Sequence, residues 1–115
     1  MDLDQFRKYC LNKKAVTEET PFGEDTLVYK VAGKIFAITG FEIPLRVNLK
    51  CDPERVIELR EEYEEVLPGY HMNKTHWNTV VSKGRLSDKM LKELIDHSYD
   101  LIVSGLSKAQ KEKLK

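Results

Sequence analysis

Only two of the 115 residues are cysteine, Cys10 and Cys51, and their placement matches no zinc-binding spacing. Two reduced thiols in a cytoplasmic protein are expected, with a disulfide or thiol switch as the alternative. A leading apolar run is also missing. The chain opens Met1-Asp2-Leu3-Asp4, so secretion is not expected, and nothing approaches the length of a membrane span. Excess charge is absent: 19 Lys plus Arg balance 19 Asp plus Glu. That disfavours a tight, non-specific nucleic-acid binder, which is normally basic overall, but leaves room for a local basic face. There is no glycine-rich phosphate loop and no nucleophile beside a base in a recognised pattern. Tyr70, His71 and His76 are chemically able to transfer protons, yet no enzyme is expected.

What is present suits one soluble domain. Apolar residues make up 41% and charged residues 33%, too apolar for disorder. Residues 1–106 read as a single α+β domain and residues 107–115 as a Lys-rich polar tail that frays. Asp2 and Gln5 form a capping-box pair ahead of a helix over Leu3–Asn12, with Leu3, Phe6 and Cys10 on its apolar face. A polar connection follows from Thr17 to Gly23. Strands are expected over Leu27–Ala32, Ile35–Thr39 and Leu45–Lys50, with a tight turn at Ala32-Gly33-Lys34. The third alternates: Leu45, Val47 and Leu49 point one way, Arg46, Asn48 and Lys50 the other. Asp52 caps a second helix with Pro53 in its first position. From Asp52 to Glu65 that region carries seven acidic and two basic residues. A fourth strand is expected over His76–Val81, then a helix capped by Ser87 with Leu86 stapled onto Leu91, ending Schellman-fashion at Gly105-Leu106. The order α-β-β-β-α-β-α, without a βαβ rhythm, predicts an antiparallel sheet of four or more strands packed on one face by helices.

The stretch from Leu67 to Val81 holds the only Trp and two of the three His, and no Asp or Glu occurs from Val66 to Ser87. Such a segment is either a partner-ready surface or a structural latch. The latch reading sends Trp77 into the core and uses Asn73 and His76 to satisfy backbone groups.

Three blocks carry a family resemblance: Leu49-Lys50-Cys51-Asp52-Pro53-Glu54, then Pro68 with Asn73-Lys74-x-His76-Trp77-x-Thr79-Val80, then Leu94-Ile95-Asp96-His97-Ser98-Tyr99. Together they resemble the YjbR/MmcQ family of small bacterial proteins, from the first helix to Leu106. The resemblance implies a frataxin-like (CyaY-like) α+β sandwich. It also implies the family's DNA-binding label, which rests on an analogy with a double-wing arrangement. A frataxin-like fold further raises an iron question for Glu58, Glu61, Glu62 and Glu65. A solvated helix face is the reading kept, and no metal or cofactor is expected.

The residues give the DNA reading a physical form. Lys30, Arg46, Lys50 and Lys74 are the expected phosphate partners, Asn48 and Arg46 the base-edge readers, Trp77 a platform on which an unpaired base stacks, and His76 a further nucleic-acid-binding residue. From Thr26 to Cys51 there are four basic residues and one acidic. Four phosphate contacts imply a salt slope of roughly −3 to −4. The expectation is a monomer that binds DNA weakly through an exposed basic sheet face and touches no membrane. The alternative is a protein-interaction adaptor.

Overall fold

Asp2 and Gln5 exchange backbone and side-chain hydrogen bonds at the start of helix α1 (Leu3–Leu11), completing the capping box that their spacing predicts. The computed structural model describes all 115 residues. Four strands follow: β1 (Val16–Glu19), β2 (Leu27–Val31), β3 (Lys34–Thr39) and β4 (Arg46–Lys50). Helix α2 (Pro53–Glu62) leads to β5 (Val66–Pro68) and β6 (Trp77–Val81), and the chain ends with helices α3 (Asp88–Ser104) and α4 (Lys108–Lys113). All six strands form one antiparallel sheet in the order β1-β2-β3-β4-β6-β5. Phe6 and Cys10 of α1, Val56 and Leu59 of α2, and Leu91, Leu94, Ile95 and Ile102 of α3 pack with Tyr29, Ala37, Val47 and Leu49 in one core. The other face of the sheet carries no helix. No helix is long and apolar enough to cross a membrane.

Two strands exceed the expected four. β1 lies in what reads as a polar connection, but its polarity is used locally. Glu18 sits opposite Tyr29, accepts the tyrosine hydroxyl at 2.7 Å and takes a two-pronged hydrogen bond from Arg7. Arg7 holds the Glu18 carboxyl below the usual carboxylate range against the opposing effect of burial. β5 is a three-residue edge strand, where Pro68 costs no ladder bond. The chain end differs too. Gly105 has right-handed dihedrals (φ −86°), so no Schellman turn forms, and the polar tail makes α4 behind a Ser107–Gln110 capping box.

Two contacts tie the layers together. Ser98 of α3 is fully buried, donates to the Phe36 carbonyl and accepts from the Lys50 backbone N–H at 2.9 Å. It thus serves two neighbouring strands from the helix layer. Arg60 of α2 donates through Nε to Asn78 Oδ1 at 2.7 Å and through Nη2 to the carbonyls of Trp77 and Lys74. This explains which β6 residue enters the core. Asn78, 2% exposed, points at the helices beside Leu49, while Trp77 pairs with Lys50 and shares its outward face. The expectation of a core Trp77 is therefore corrected: a charged donor from α2 satisfies the asparagine, and period-two geometry turns the tryptophan outward.

Candidate nucleic-acid interface

Side chains on the helix-free face line up across the sheet, partly beneath loops: Val28 is fully buried there and Thr79 is buried too. Its middle row reads Glu19, Val28, Ile38, Asn48, Thr79 and Leu67. That row is largely neutral, so the face is not a continuous basic surface. Lys30, Arg46 and Lys50 point outward as expected, but they stand around the row rather than in it. Lys30 meets Glu19 at 3.3 Å, and Arg46 meets Glu42 at 3.6 Å. Such exposed pairs add little stability, yet each carboxylate offsets its cation's pull on a phosphate. The Glu19 carboxyl is held below its usual range, first by the Thr17 hydroxyl and then by Lys30, so it is ionised at neutral pH.

Lys50 and Lys74 form no ion pair. Lys50 stands beside Trp77 across the β4–β6 ladder, and Lys74 lies three residues before Trp77 in the loop, with Nζ donating to the Gly69 carbonyl at 3.2 Å. The two lysines and the indole thus mark one margin of the face. His76 is half-buried beside them, and its carbonyl accepts from the Cys51 N–H at 2.8 Å. Asn73 caps the local turn by accepting from the Thr75 N–H.

Asn48 is engaged differently from a free base-edge reader. It accepts from the Thr79 hydroxyl, and its amide nitrogen lies 3.5 Å from the Tyr70 carbonyl. Thr79 Oγ1 in turn accepts from the Tyr70 N–H. These bonds fold the loop after β5 over the sheet. Gly69 makes the fold-over possible: a Cβ there would come within 2.9 Å of the Trp77 backbone oxygen and Cβ. His71 follows with left-handed backbone (φ 57°), and its ring lies 4.0 Å from that of Tyr70. Between this loop and the 20–26 and 40–45 connections is a cleft of about 720 Å³, floored by Ile38, Asn48 and Thr79. The cleft residues Phe22, Tyr70 and His71 escape a sequence reading centred on cations. The available signal is an acid-free segment with adjacent rings just past a Pro-Gly.

The other candidates separate. Glu58, Glu61 and Glu62 are exposed on or near the outer side of α2, but Glu65 is 6% exposed and turned inward, so the four form no ridge. No three His, Cys, Asp or Glu side chains come within metal-binding reach of one another. Burial pushes the Cys10 thiol up to about 12 and the Cys51 thiol to about 11. Neither is a ready thiolate.

Comparisons with known proteins agree with this architecture. The YjbR family profile matches residues 11–101. Escherichia coli O157:H7 YbdF is 37% identical over 97 residues, covering 83% of this chain and 79% of its own. YjbR of Escherichia coli K12 is 31% identical over 116 residues, covering 99% and 98%. The crystal structure of Deinococcus radiodurans DR2400 superposes with a TM-score of 0.92 at 38% identity, covering 98% of this chain and 87% of that one.

Proposed function

The chain belongs to the YjbR family, and we propose that it is a cytoplasmic monomer that binds nucleic acid weakly and without catalysis. The observation that carries this reading is the grouping of Lys50, Trp77 and Lys74 at one margin of the helix-free face, with neither lysine paired to a carboxylate. Two cations that no carboxylate offsets and one partly exposed indole suit a phosphate backbone with an adjoining base. The zero net charge fits a weak complex.

The test is fluorescence anisotropy of a labelled 12-nucleotide strand between 20 and 200 mM salt. With two phosphate contacts the log–log slope is about −1.4 for a single strand and about −1.8 for a duplex. Lys50→Gln and Lys74→Gln weaken binding, whereas Lys30→Gln and Arg46→Gln leave it within about twofold, because those cations already face carboxylates. A slope of about −2.8 for the single strand (about −3.6 for a duplex), or equal losses from all four substitutions, would restore a broad basic face. No binding at 20 mM salt would remove the proposal.

A protein-docking role has one observation in its favour. Ile43 is 97% exposed, and Phe41 stands nearby in the same connection, more than half exposed. Replacing Ile43 by Asp leaves oligonucleotide affinity unchanged if the nucleic-acid reading holds, and a loss would move the interface to this connection.

A further inference from the structure

The cleft on the helix-free face lies beside the proposed nucleic-acid margin, and its chemistry differs from that margin's. We infer that it receives one unpaired base, so that the ligand is a single strand rather than a duplex. This rests on the nucleic-acid reading and specifies it.

Shape comes first. A volume of about 720 Å³ lies in the range of ordinary small-ligand pockets and readily admits one base. The loop after β5 overhangs the sheet, anchored by the Tyr70 N–H on Thr79 Oγ1 at 3.0 Å. A base held in a duplex must first be unpaired and unstacked to enter such a cleft, whereas an unpaired one is free to do so.

The walls supply ring faces. Tyr70 is 70% exposed and packs on His71, and Phe22 is 66% exposed on the cleft's far side. Every base has a π-face, so aromatic walls select for unpaired bases without selecting sequence. The left-handed backbone of His71 is a sparsely populated conformation for a non-glycine residue, of the kind found where a loop serves a site. The floor pairs apolar Ile38 with Asn48. The Asn48 amide holds the Tyr70 carbonyl only at 3.5 Å, so the group retains donor capacity for a base carbonyl or ring nitrogen.

Charge sets the direction of the strand. Lys50 lies two residues along β4 from Asn48, about 7 Å away, and Lys74 follows His71 in the same loop. Asp25 and Glu42 also line the cleft, Glu42 paired at 3.6 Å with Arg46, which starts β4 at the end opposite Lys50. A base seated over Asn48 therefore places its phosphates toward Lys50 and Lys74 and away from the acids.

Three 12-mers test this at 50 mM salt: single-stranded dT, the same strand abasic at its six central positions, and a duplex. The dT strand is expected to bind at least tenfold more tightly than either of the others. Tyr70→Ala weakens dT binding about tenfold and leaves the abasic strand unchanged, while Tyr70→Phe retains the dT affinity. Tyr70 is exposed, so neither change threatens folding, and circular dichroism verifies this. Equal binding of all three ligands, or a silent Tyr70→Ala with Lys50→Gln and Lys74→Gln still weakening, overturns the cleft inference while the nucleic-acid reading stands. No binding of any of the three at 20 mM salt overturns both.

Discussion

Replacing Arg60 by Met removes the donor that connects α2 to the start of β6 while keeping much of the aliphatic stem. The structure gives the size of the effect. The guanidinium serves Asn78 Oδ1 at 2.7 Å, the Trp77 carbonyl at 3.1 Å and the Lys74 carbonyl. Lys74 is exposed, so water can replace that bond. Asn78 is 2% exposed, and its remaining bond, to the Val56 carbonyl, is long at 3.4 Å. Orphaning its Oδ1 costs about 1–3 kcal/mol, and losing a partly buried charge-assisted bond to Trp77 adds about 1 kcal/mol. The expected destabilisation is about 2–4 kcal/mol, or roughly 8–16 °C in Tm for a domain of this size. Urea unfolding followed by Trp77 fluorescence measures it. The double variant Arg60→Met with Asn78→Leu separates the cause from lost packing. If the orphaned amide dominates, the second change restores stability and the pair couples by more than about 1 kcal/mol. A loss below about 0.5 kcal/mol, or strict additivity, would refute Arg60 as the latch of this segment.

Three further outcomes follow from individual groups. His97 Nε2 accepts from the Asp52 N–H at 3.2 Å and must be neutral to do so, and burial and then Arg55 hold its pKa below 6.5 against Asp52, Glu93 and Asp100. Its contribution is thus complete above pH 6.5 and lost as pH falls through 6.5 toward the depressed value, so urea midpoints drop between pH 7.5 and 5.5 and His97→Gln flattens that drop; parallel profiles would contradict it. The raised thiol pKa values predict that Cys10 and Cys51 react with a disulfide reagent at pH 8 only as fast as the protein opens, and rapid labelling of native protein would contradict the burial. Gly84 has left-handed φ (62°), and a Cβ there would collide with the Glu65 carboxylate, which accepts from the Arg85 N–H. Gly84→Ala therefore costs more than the ~1 kcal/mol of backbone strain alone, and a smaller loss in urea unfolding would mean that Glu65 moves aside.

Elements whose cause is local were legible in the sequence. The Asp2–Gln5 box, the Asp52-Pro53 start, the Ser87 cap and the alternation from Leu45 to Lys50 each depend on residues within a few positions. What escaped depends on distant partners. β1 looks polar because Glu18 is matched to Arg7 and Tyr29, each eleven residues away. Trp77 and Val80 have opposite parity on a strand, and hydrophobicity alone sends the larger one inward. The choice is made instead by Arg60, eighteen residues before Asn78. The outward set of Arg46, Asn48 and Lys50 was readable, but its charge was not. Glu19 reaches Lys30 across a strand pair, although the Glu42–Arg46 spacing of four was there to be seen. The cleft escaped because it is made by a loop folding back, which Gly69 permits and no periodicity announces.

Backbone amide shifts of isotopically labelled protein, followed as single-stranded dT12 is added at 20 mM salt, locate the ligand without assuming where it sits. Movement gathered on Asn48, Lys50, Tyr70, His71 and the 74–77 turn is the expected result. An unmoved spectrum, or movement confined to α2 and α4, would leave the helix-free face without its assigned role.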